Sequence, residues 1–247
     1  MYHIFLQYES DRVYYLAMLI DAHTHIIPDS NDITVLYNSV TSADWDRIPA
    51  GQNIIPFYGI HPWYATSCSK NELMALGQFI KQKKAAGIKF GIGETGLDKT
   101  DRNPDFEDQK GFFAFHLWLA QQYHVPAAVH CVRAWGPLLE ILSEVPEDLP
   151  VLMHSYSGSI ETAKILLKRN TWFSFSPSVH HIEKQAEVLS QLPLDRIFLE
   201  TDFTECPNKG YQQSLEGVYN FAAGQKGCTT EVLKKIVENN LKTLFAP

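Results

Sequence analysis

The chain has few cysteines, no long apolar run and no excess of basic residues, and each shortage excludes a class of protein. Its four cysteines are scattered through 247 residues without a CxxC pair, which argues against a disulfide framework and favours a reducing, cytoplasmic location. No apolar stretch approaches the roughly 20 residues that span a bilayer, so we expect no membrane partner. The formal net charge of -7 excludes a broad basic face for nucleic acid, although bound divalent cations could supply positive charge locally.

Short apolar runs alternate with amphipathic stretches along most of the chain, and this alternation predicts parallel βαβ units. Eight such units in this length predict a (β/α)8 TIM barrel, with a doubly wound sheet as the alternative. The connection 26–32 is too short for a crossover helix, so the barrel should be irregular at its start. The predicted strands are 18–25, 33–38, 54–60, 88–94, 125–130, 150–154, 171–176 and 195–201. The predicted helices are 71–86, 106–124, 135–144, 159–169, 181–191, 211–225 and 229–245.

Residues 1–17 precede the first predicted strand. Glu9, Asp11 and Arg12 interrupt their apolar character, and the segment lacks the basic start of a signal peptide. We predict that residues 1–17 are a dispensable extension and that residues 18–247 form one barrel domain, which we expect to be a monomer.

The stretch LIDAHTHI, residues 19–26, carries two histidines two positions apart. Residues i and i+2 of a strand share a face, so His23 and His25 could point into one site. Ten histidines in the chain make a chance pair of this kind common enough that the motif alone does not separate metal ligands from ordinary strand residues.

Metal-capable side chains recur at the ends of the predicted strands. In a TIM barrel the carboxyl ends of all strands meet at one rim, where the active site lies. Packing does not explain why such residues recur at equivalent positions, so we predict a metal site at this rim. The residues are His23 and His25 at the end of the first strand, His61 after the third, Glu94 at the end of the fourth, His130 at the end of the fifth, His154 at the end of the sixth and Asp202 after the eighth.

Six motifs carry a family resemblance: DAHTH, GIHPW, GIGETGLD, VHCVRAWGPLLEIL, MHSYSGS and FLETDF. Their order and spacing resemble the TatD-type metal-dependent deoxyribonucleases, a branch of the amidohydrolase-like barrels, from about residue 19 to 245. The resemblance implies two divalent ions, and the donor types suit Zn²⁺, Mn²⁺ or Mg²⁺. It places His23, His25 and Asp202 on one ion and His130 and His154 on the other, with Glu94 bridging the two.

The resemblance also implies an activity, which is cleavage of DNA from its 3′ end by two-metal hydrolysis. Asp202 and Glu94 are then the catalytic residues, and Asp202 orients the attacking water and accepts its proton. The expected substrate is a DNA end or another phosphoester.

Further residues near the predicted rim are candidates for supporting roles. His61 and Arg133 could contact substrate or support the ligands, and Asp21 could orient His23 because the two share a strand face. Asp98 is expected to brace the rim. Four aromatic residues follow strand ends, where a base could stack: Trp63, Trp135, Tyr156 and Phe203.

Two other functions stay open. The segment FTECPNKGY after the eighth strand has a single basic residue, Lys209, where many relatives carry a basic loop, and this favours a small amide, lactone or phosphoester as substrate. A binding scaffold without catalysis is the second alternative. Retention of all six ligands argues against a non-catalytic scaffold. Related barrels use a carboxylated lysine from the fourth strand, and the presence of Glu94 at that position favours the TatD-like branch.

Overall fold

The computed structural model describes residues 8–9, 12–13, 18–49, 51, 53–100, 105–205 and 210–246. Within them, eight parallel strands form a nearly closed barrel with the helices packed outside it. Each strand pairs with the next one along the chain. This confirms the predicted TIM barrel and excludes the doubly wound sheet, whose strand order reverses at a switch point.

The observed elements agree with the predicted ones within a few residues, and the largest displacement of a strand is that of the fourth, which ends four residues later than predicted. The strands are β1 (Leu19–Thr24), β2 (Ile33–Asn38), β3 (Ile54–Tyr58), β4 (Gly91–Asp98), β5 (Ala127–Val132), β6 (Val151–Met153), β7 (Thr171–Phe175) and β8 (Ile197–Leu199). The α-helices are α1 (Lys70–Ala85), α2 (Phe106–Tyr123), α3 (Trp135–Ser143), α4 (Ile160–Leu166), α5 (Glu183–Gln191), α6 (Tyr211–Lys226) and α7 (Thr230–Leu244). Short 3₁₀ helices cover Ser42–Asp44, Pro62–Tyr64, Pro177–His180 and Leu194–Arg196.

The first part of the barrel is irregular, as the short connection predicts. β1 leads to β2 without a helix, and a single 3₁₀ turn, Ser42–Asp44, lies between β2 and β3. The carboxylate of Asp44 accepts hydrogen bonds from the amides of Val40 at 2.9 Å and Thr41 at 2.8 Å. These bonds satisfy two backbone N–H donors in a connection that has no crossover α-helix.

Three of the outer helices, α1, α4 and α7, begin at a serine or threonine whose side chain caps them. Ser69 accepts from the Glu72 amide at 3.3 Å, Ser159 from the Thr162 amide at 3.2 Å and Thr229 from the Val232 amide at 3.3 Å. Each such cap is worth roughly 1 kcal/mol. The helices bury their apolar faces against the strands, and this packing between helices and barrel makes up the hydrophobic core.

The barrel closes where the chain leaves β8 and passes beside β1. The buried carboxylate of Asp21 accepts from the Thr201 amide at 3.0 Å and from the Thr201 hydroxyl at 2.6 Å. Backbone hydrogen bonds between residues 202–203 and the end of β1 continue the closure. The segment after β8 is thereby fixed next to the two histidines of β1.

Most of residues 1–17, the predicted extension, lies outside the described residues. Of that segment the structure describes an antiparallel pair, Tyr8–Glu9 with Arg12–Val13. Among the helices described, none combines the length and apolar character that crossing a membrane requires.

Candidate metal centre

One half of the site lies around the Oε2 atom of Glu94. The Nε2 atoms of His23 and His25 are each 3.3 Å from this oxygen and 3.3 Å from one another. Ligand atoms that bind one tetrahedral zinc ion with bonds of 2.0–2.1 Å are about 3.3 Å apart. Asp202 Oδ1 is 3.9 Å from both Nε2 atoms. His23, His25 and Glu94 form one of the clusters whose ligand atoms are close enough together to hold a metal ion, and Asp202 lies beside it.

The other half of the site lies around the Oε1 atom of Glu94. His130 Nδ1 is 3.0 Å from this oxygen, His154 Nε2 is 2.8 Å from it, and the two nitrogens are 3.2 Å apart. These separations also suit the ligands of a single ion. The structure thus brings all six predicted ligands together, with one oxygen of Glu94 turned toward each set.

Glu94 and His130 lie inside their strands, which corrects the prediction that they end them. β4 continues to Asp98 and β5 to Val132, and the register of this pair shifts between Ile92 and Thr95, around Glu94. Gly96 has a φ of 141° and pairs with His130; a Cβ at residue 96 would lie 2.0 Å from the His130 carbonyl oxygen. Glycine in the GETGLD motif therefore lets β4 approach β5 closely enough for the two ligands to meet.

Hydrogen bonds on the outer side of two imidazole rings fix which nitrogen faces the site. His25 Nδ1 lies 2.9 Å from the carbonyl oxygen of Asn38, an obligate acceptor, so Nδ1 carries the proton and Nε2 faces Glu94 with its lone pair. His130 Nε2 lies 3.3 Å from Asp98 Oδ2 and donates to it, which leaves the lone pair on Nδ1. Both rings therefore turn a lone pair toward Glu94, as a metal ligand requires.

His61 is arranged in the opposite way. Its Nδ1 accepts a hydrogen bond from the Trp63 amide at 3.1 Å, so its proton is on Nε2, which lies 3.3 Å from Glu94 Oε1. It therefore presents a donor to Glu94 where the other histidines present a lone pair. This geometry supports a role in holding Glu94 over a role as a ligand.

The buried charges of the site influence one another strongly. Burial raises the pKa of Glu94, but the facing histidines His61, His154 and His23 outweigh it and hold the pKa well below its usual range. Burial, together with the neighbouring His154, holds the pKa of His23 well below its ordinary value. Glu94 is therefore a carboxylate, the form that binds metal ions.

Two of the predicted supporting residues have other surroundings than expected. Asp21 accepts from the backbone amide of His23 at 3.2 Å. It therefore holds the backbone of β1 and the contact between β1 and the segment after β8, and does not orient the ring of His23. Arg133 is exposed directly after β5, in a left-handed conformation with a φ of 54°. It lies outside the buried cluster.

The four predicted stacking aromatics differ in exposure. Tyr156 is buried, packs its ring on Phe173 and donates its hydroxyl to the Ser159 carbonyl at 2.8 Å, so it belongs to the core and cannot stack on a base. Trp63 is 42% exposed, and its indole N–H donates to Asp98 at 2.6 Å. The remaining two, Trp135 and Phe203, are half-buried.

Glu200 is absent from the predicted site residues, yet it lies at the base of the site. It is fully buried, its Oε1 accepts from the Ser155 amide at 2.8 Å, and the same oxygen is 3.5 Å from His154 Nδ1. The sequence did carry a signal for Glu200, because it directly follows an apolar strand and lies two residues before Asp202. A carboxylate buried at such a position is costly unless it has a polar partner.

Comparison with known proteins agrees with this geometry. The family model described as TatD related DNase matches residues 29–246. YabD of Bacillus subtilis, an uncharacterized metal-dependent hydrolase, is 32% identical over 197 residues, covering 76% of this chain and 75% of YabD. The human 3′-5′ RNA nuclease TATDN2 is 29% identical over 170 residues, covering 66% of this chain and 22% of TATDN2.

A solved structure shares the fold. The TatD homologue YjjV from Escherichia coli superposes with a TM-score of 0.80 at 23% identity, covering 94% of this chain and all of YjjV. The family match extends over most of the barrel and includes four of the six predicted ligands, Glu94, His130, His154 and Asp202. The chain therefore belongs to the TatD family of metal-dependent hydrolases.

Proposed function

We propose that the protein is a two-metal phosphodiesterase that removes nucleotides from the 3′ end of DNA. The observation that carries the proposal is the shared carboxylate of Glu94, which turns one oxygen toward His23 and His25 and the other toward His130 and His154. Two ions held 3.5–4 Å apart in this way are the arrangement of many phosphodiesterases and nucleases. The name of the matching family and the name of TATDN2 support a nucleic acid substrate.

The proposed ligands are divided between two ions, which could be Zn²⁺, Mn²⁺ or Mg²⁺. Bound ions of this kind lower the pKa of water and offset the negative charge that develops on phosphoryl oxygens. His23, His25 and Asp202 would hold one ion, His130 and His154 the other, and Glu94 both. Because imidazoles make up most of the donor set, the transition metals fit it better than Mg²⁺.

Asp202 is the residue proposed to accept the proton of the attacking water. Its side chain is 34% exposed, whereas that of Glu94 is 2% exposed, so Asp202 lies where water and substrate enter. Its carboxylate can accept a hydrogen bond from a water and hold that water in line with phosphorus. His61 would keep Glu94 in place through its Nε2–H.

The substrate end would contact the rim around this carboxylate. Arg133, exposed directly after β5, is the proposed phosphate contact. The exposed face of Trp63 is the proposed stacking surface for a terminal base, since base stacking on an aromatic ring tolerates any sequence. An enzyme of this kind would recognise the strand end and the backbone rather than a sequence.

The test is cleavage of 5′-end-labelled single-stranded DNA by the purified protein with Mn²⁺, Mg²⁺ or Zn²⁺. We expect stepwise shortening by the parent protein and a loss of at least 100-fold in rate for Asp202→Asn, since this change removes a general base. Asp148→Asn is the matched control, because Asp148 is an exposed carboxylate before β6, at the opposite end of the barrel. Equal activity of Asp202→Asn and the parent would contradict the proposal.

A small-molecule ester or amide is the second candidate substrate. The segment after β8 has a single lysine, in the stretch 206–209, which lies outside the described residues. Little positive charge is therefore available there for a polymer backbone. Turnover of a small phosphoester, lactone or amide without any shortening of DNA would favour this function, and inertness toward all of them would favour the binding scaffold.

A further inference from the structure

Three buried polar atoms at the base of the site have no hydrogen-bond partner among the described residues. They are His23 Nδ1, His154 Nδ1 and Glu200 Oε2. One ring nitrogen from each histidine and one oxygen of Glu200 lie within 4.8 Å of one another. Three unsatisfied groups in one buried place are unusual, because such groups are costly unless paired.

The two histidine rings have the same orientation. They stack with their centroids 3.8 Å apart and their planes 13° apart. Both turn Nε2 toward Glu94, His23 at 3.3 Å from Oε2 and His154 at 2.8 Å from Oε1. Both Nδ1 atoms therefore lie on the sides of the rings away from Glu94, and for His154 this side faces Glu200.

Glu200 is held in place through both its backbone and its carboxylate. Its backbone amide donates to the Phe175 carbonyl at 3.1 Å, and its Oε1 accepts from the Ser155 amide at 2.8 Å. Its Oε2 has no partner among the described residues. Glu200 thus offers acceptor capacity beside two rings that each need an acceptor.

We propose that Glu200 is a positioning residue shared by the two metal sites, accepting the Nδ1–H of one histidine from each. A neutral imidazole that carries its proton on Nδ1 has its lone pair on Nε2, the atom that faces the ion. Glu200 fixes this form for His23 and His154 together, so that it aligns one ligand of each ion. The inference rests on the proposed two-metal function.

The other supporting contacts each serve a single site. The Asn38 carbonyl holds His25, which belongs to the first ion, and Asp98 holds His130, which belongs to the second. Asp98→Asn is therefore the matched control for Glu200→Gln, since both changes replace a buried carboxylate with its amide. Glutamine at residue 200 would direct its oxygen to the Ser155 amide and its NH₂ toward the histidine N–H groups, which removes the acceptor.

The test is calorimetric titration of the metal-free proteins with Zn²⁺. We expect two ions per chain for the parent and a 10- to 100-fold weaker affinity for both ions in Glu200→Gln, the usual effect of removing such a contact. Asp98→Asn should weaken one ion only. Two results would overturn the inference. The Glu200→Gln protein could bind both ions with the affinity of the parent, or it could lose affinity for one ion alone. A parent protein that binds no zinc would overturn the proposed function as well.

A second measurement needs no variant and decides the matter if Glu200→Gln does not fold. ¹⁵N NMR of the histidine side chains in the zinc-loaded parent reports which ring nitrogen carries the proton. We expect a protonated Nδ1 in both His23 and His154. An Nδ1 without a proton in either ring would refute the shared acceptor while leaving two-metal binding intact.

Discussion

The backbone amide of Asp202 donates to the carbonyl of His23 at 3.0 Å, and the His25 amide donates to the carbonyl of Phe203 at 2.9 Å. These bonds join the end of β1 to the segment after β8, where the barrel closes. Three of these residues, Asp202, His23 and His25, are proposed ligands of one ion. Closure of the barrel and assembly of this ligand set therefore depend on the same contacts. A substitution that weakens the contact between β1 and the segment after β8 should lower both the stability of the fold and the affinity for metal.

Tyr211→Phe tests this coupling. The Tyr211 hydroxyl donates to Asp21, the buried carboxylate that also holds Thr201. Removing one donor to a buried carboxylate should lower the free energy of unfolding by about 1–3 kcal/mol and weaken zinc binding. Urea denaturation and zinc titration measure the two effects. Tyr64→Phe changes a residue that is 39% exposed and should alter neither, and a Tyr211→Phe protein as stable as the parent would contradict the coupling.

Gly96→Ala should disrupt the contact between Glu94 and His130. The added Cβ would meet the His130 carbonyl oxygen at 2.0 Å, in a backbone conformation that favours glycine. We expect a loss of more than about 3 kcal/mol in unfolding free energy, measured by thermal and urea denaturation. The same substitution at Gly111, an exposed position inside α2 where a Cβ meets nothing within 4 Å, should stabilise by about 0.5–1 kcal/mol. Equal effects at the two positions would refute the steric argument.

His116 should make the fold sensitive to acid independently of the metal site. In α2 its Nε2 accepts from the Ile60 amide at 3.1 Å and its Nδ1 donates to the Phe112 carbonyl at 2.6 Å, so both nitrogens are satisfied only in the neutral ring. Burial lowers the pKa of His116 from 6.5 to about 4, and the bond to Phe112 opposes this only partly.

Between these two pKa values the unfolded chain binds a proton at His116 that the folded chain does not. The contribution of His116 to the free energy of unfolding is therefore fully present above pH 6.5 and is lost as the pH falls toward 4. Between pH 7 and pH 5 this loss amounts to about 2 kcal/mol. Urea denaturation across this range should give a shallower pH dependence for His116→Gln, since the other titrating groups are common to both proteins. Parallel curves for the two proteins would exclude this role of His116.

Residues 1–17 are predicted to be dispensable. β1 begins at Leu19, and the strands, helices and predicted ligands of the barrel all follow it. A chain that begins at Met18 should therefore unfold at the same urea concentration as the full chain and bind zinc with the same stoichiometry. Failure of the shorter chain to fold would assign these residues to the domain.

The barrel could be predicted from the sequence because its strands and helices have different hydrophobic periods and alternate with regular spacing. The convergence of the ligands followed from the fold, since parallel strands bring their carboxyl ends to one rim. The end of β4 could not be predicted in the same way. Residues 95–98, TGLD, include polar and glycine residues that read as a turn, but inside a barrel they stay buried and pair with β5.

Side-chain direction after a strand was the other limit of prediction. Tyr156 follows β6 closely but turns into the core through its bond to Ser159, which no local pattern indicates. Glu200 precedes Asp202 by two residues, and its contact with His154 depends on β8 and β6 lying on either side of β7. Such contacts are set by tertiary packing, which strand period and residue type do not describe.

The number of bound ions separates ligands from the residues that orient them. His61 donates through Nε2–H to Glu94, so His61→Ala should retain two zinc ions per chain at roughly 10- to 100-fold lower affinity. His25→Ala removes a lone pair that faces the first site and should leave one ion per chain. Metal analysis after dialysis at a fixed zinc concentration well above the weakened dissociation constant measures both, with His181→Ala, an exposed histidine after β7, as the matched control. If His61→Ala retained a single ion under these conditions, His61 would be a ligand itself, because loss of a hydrogen bond to Glu94 weakens binding without removing a site.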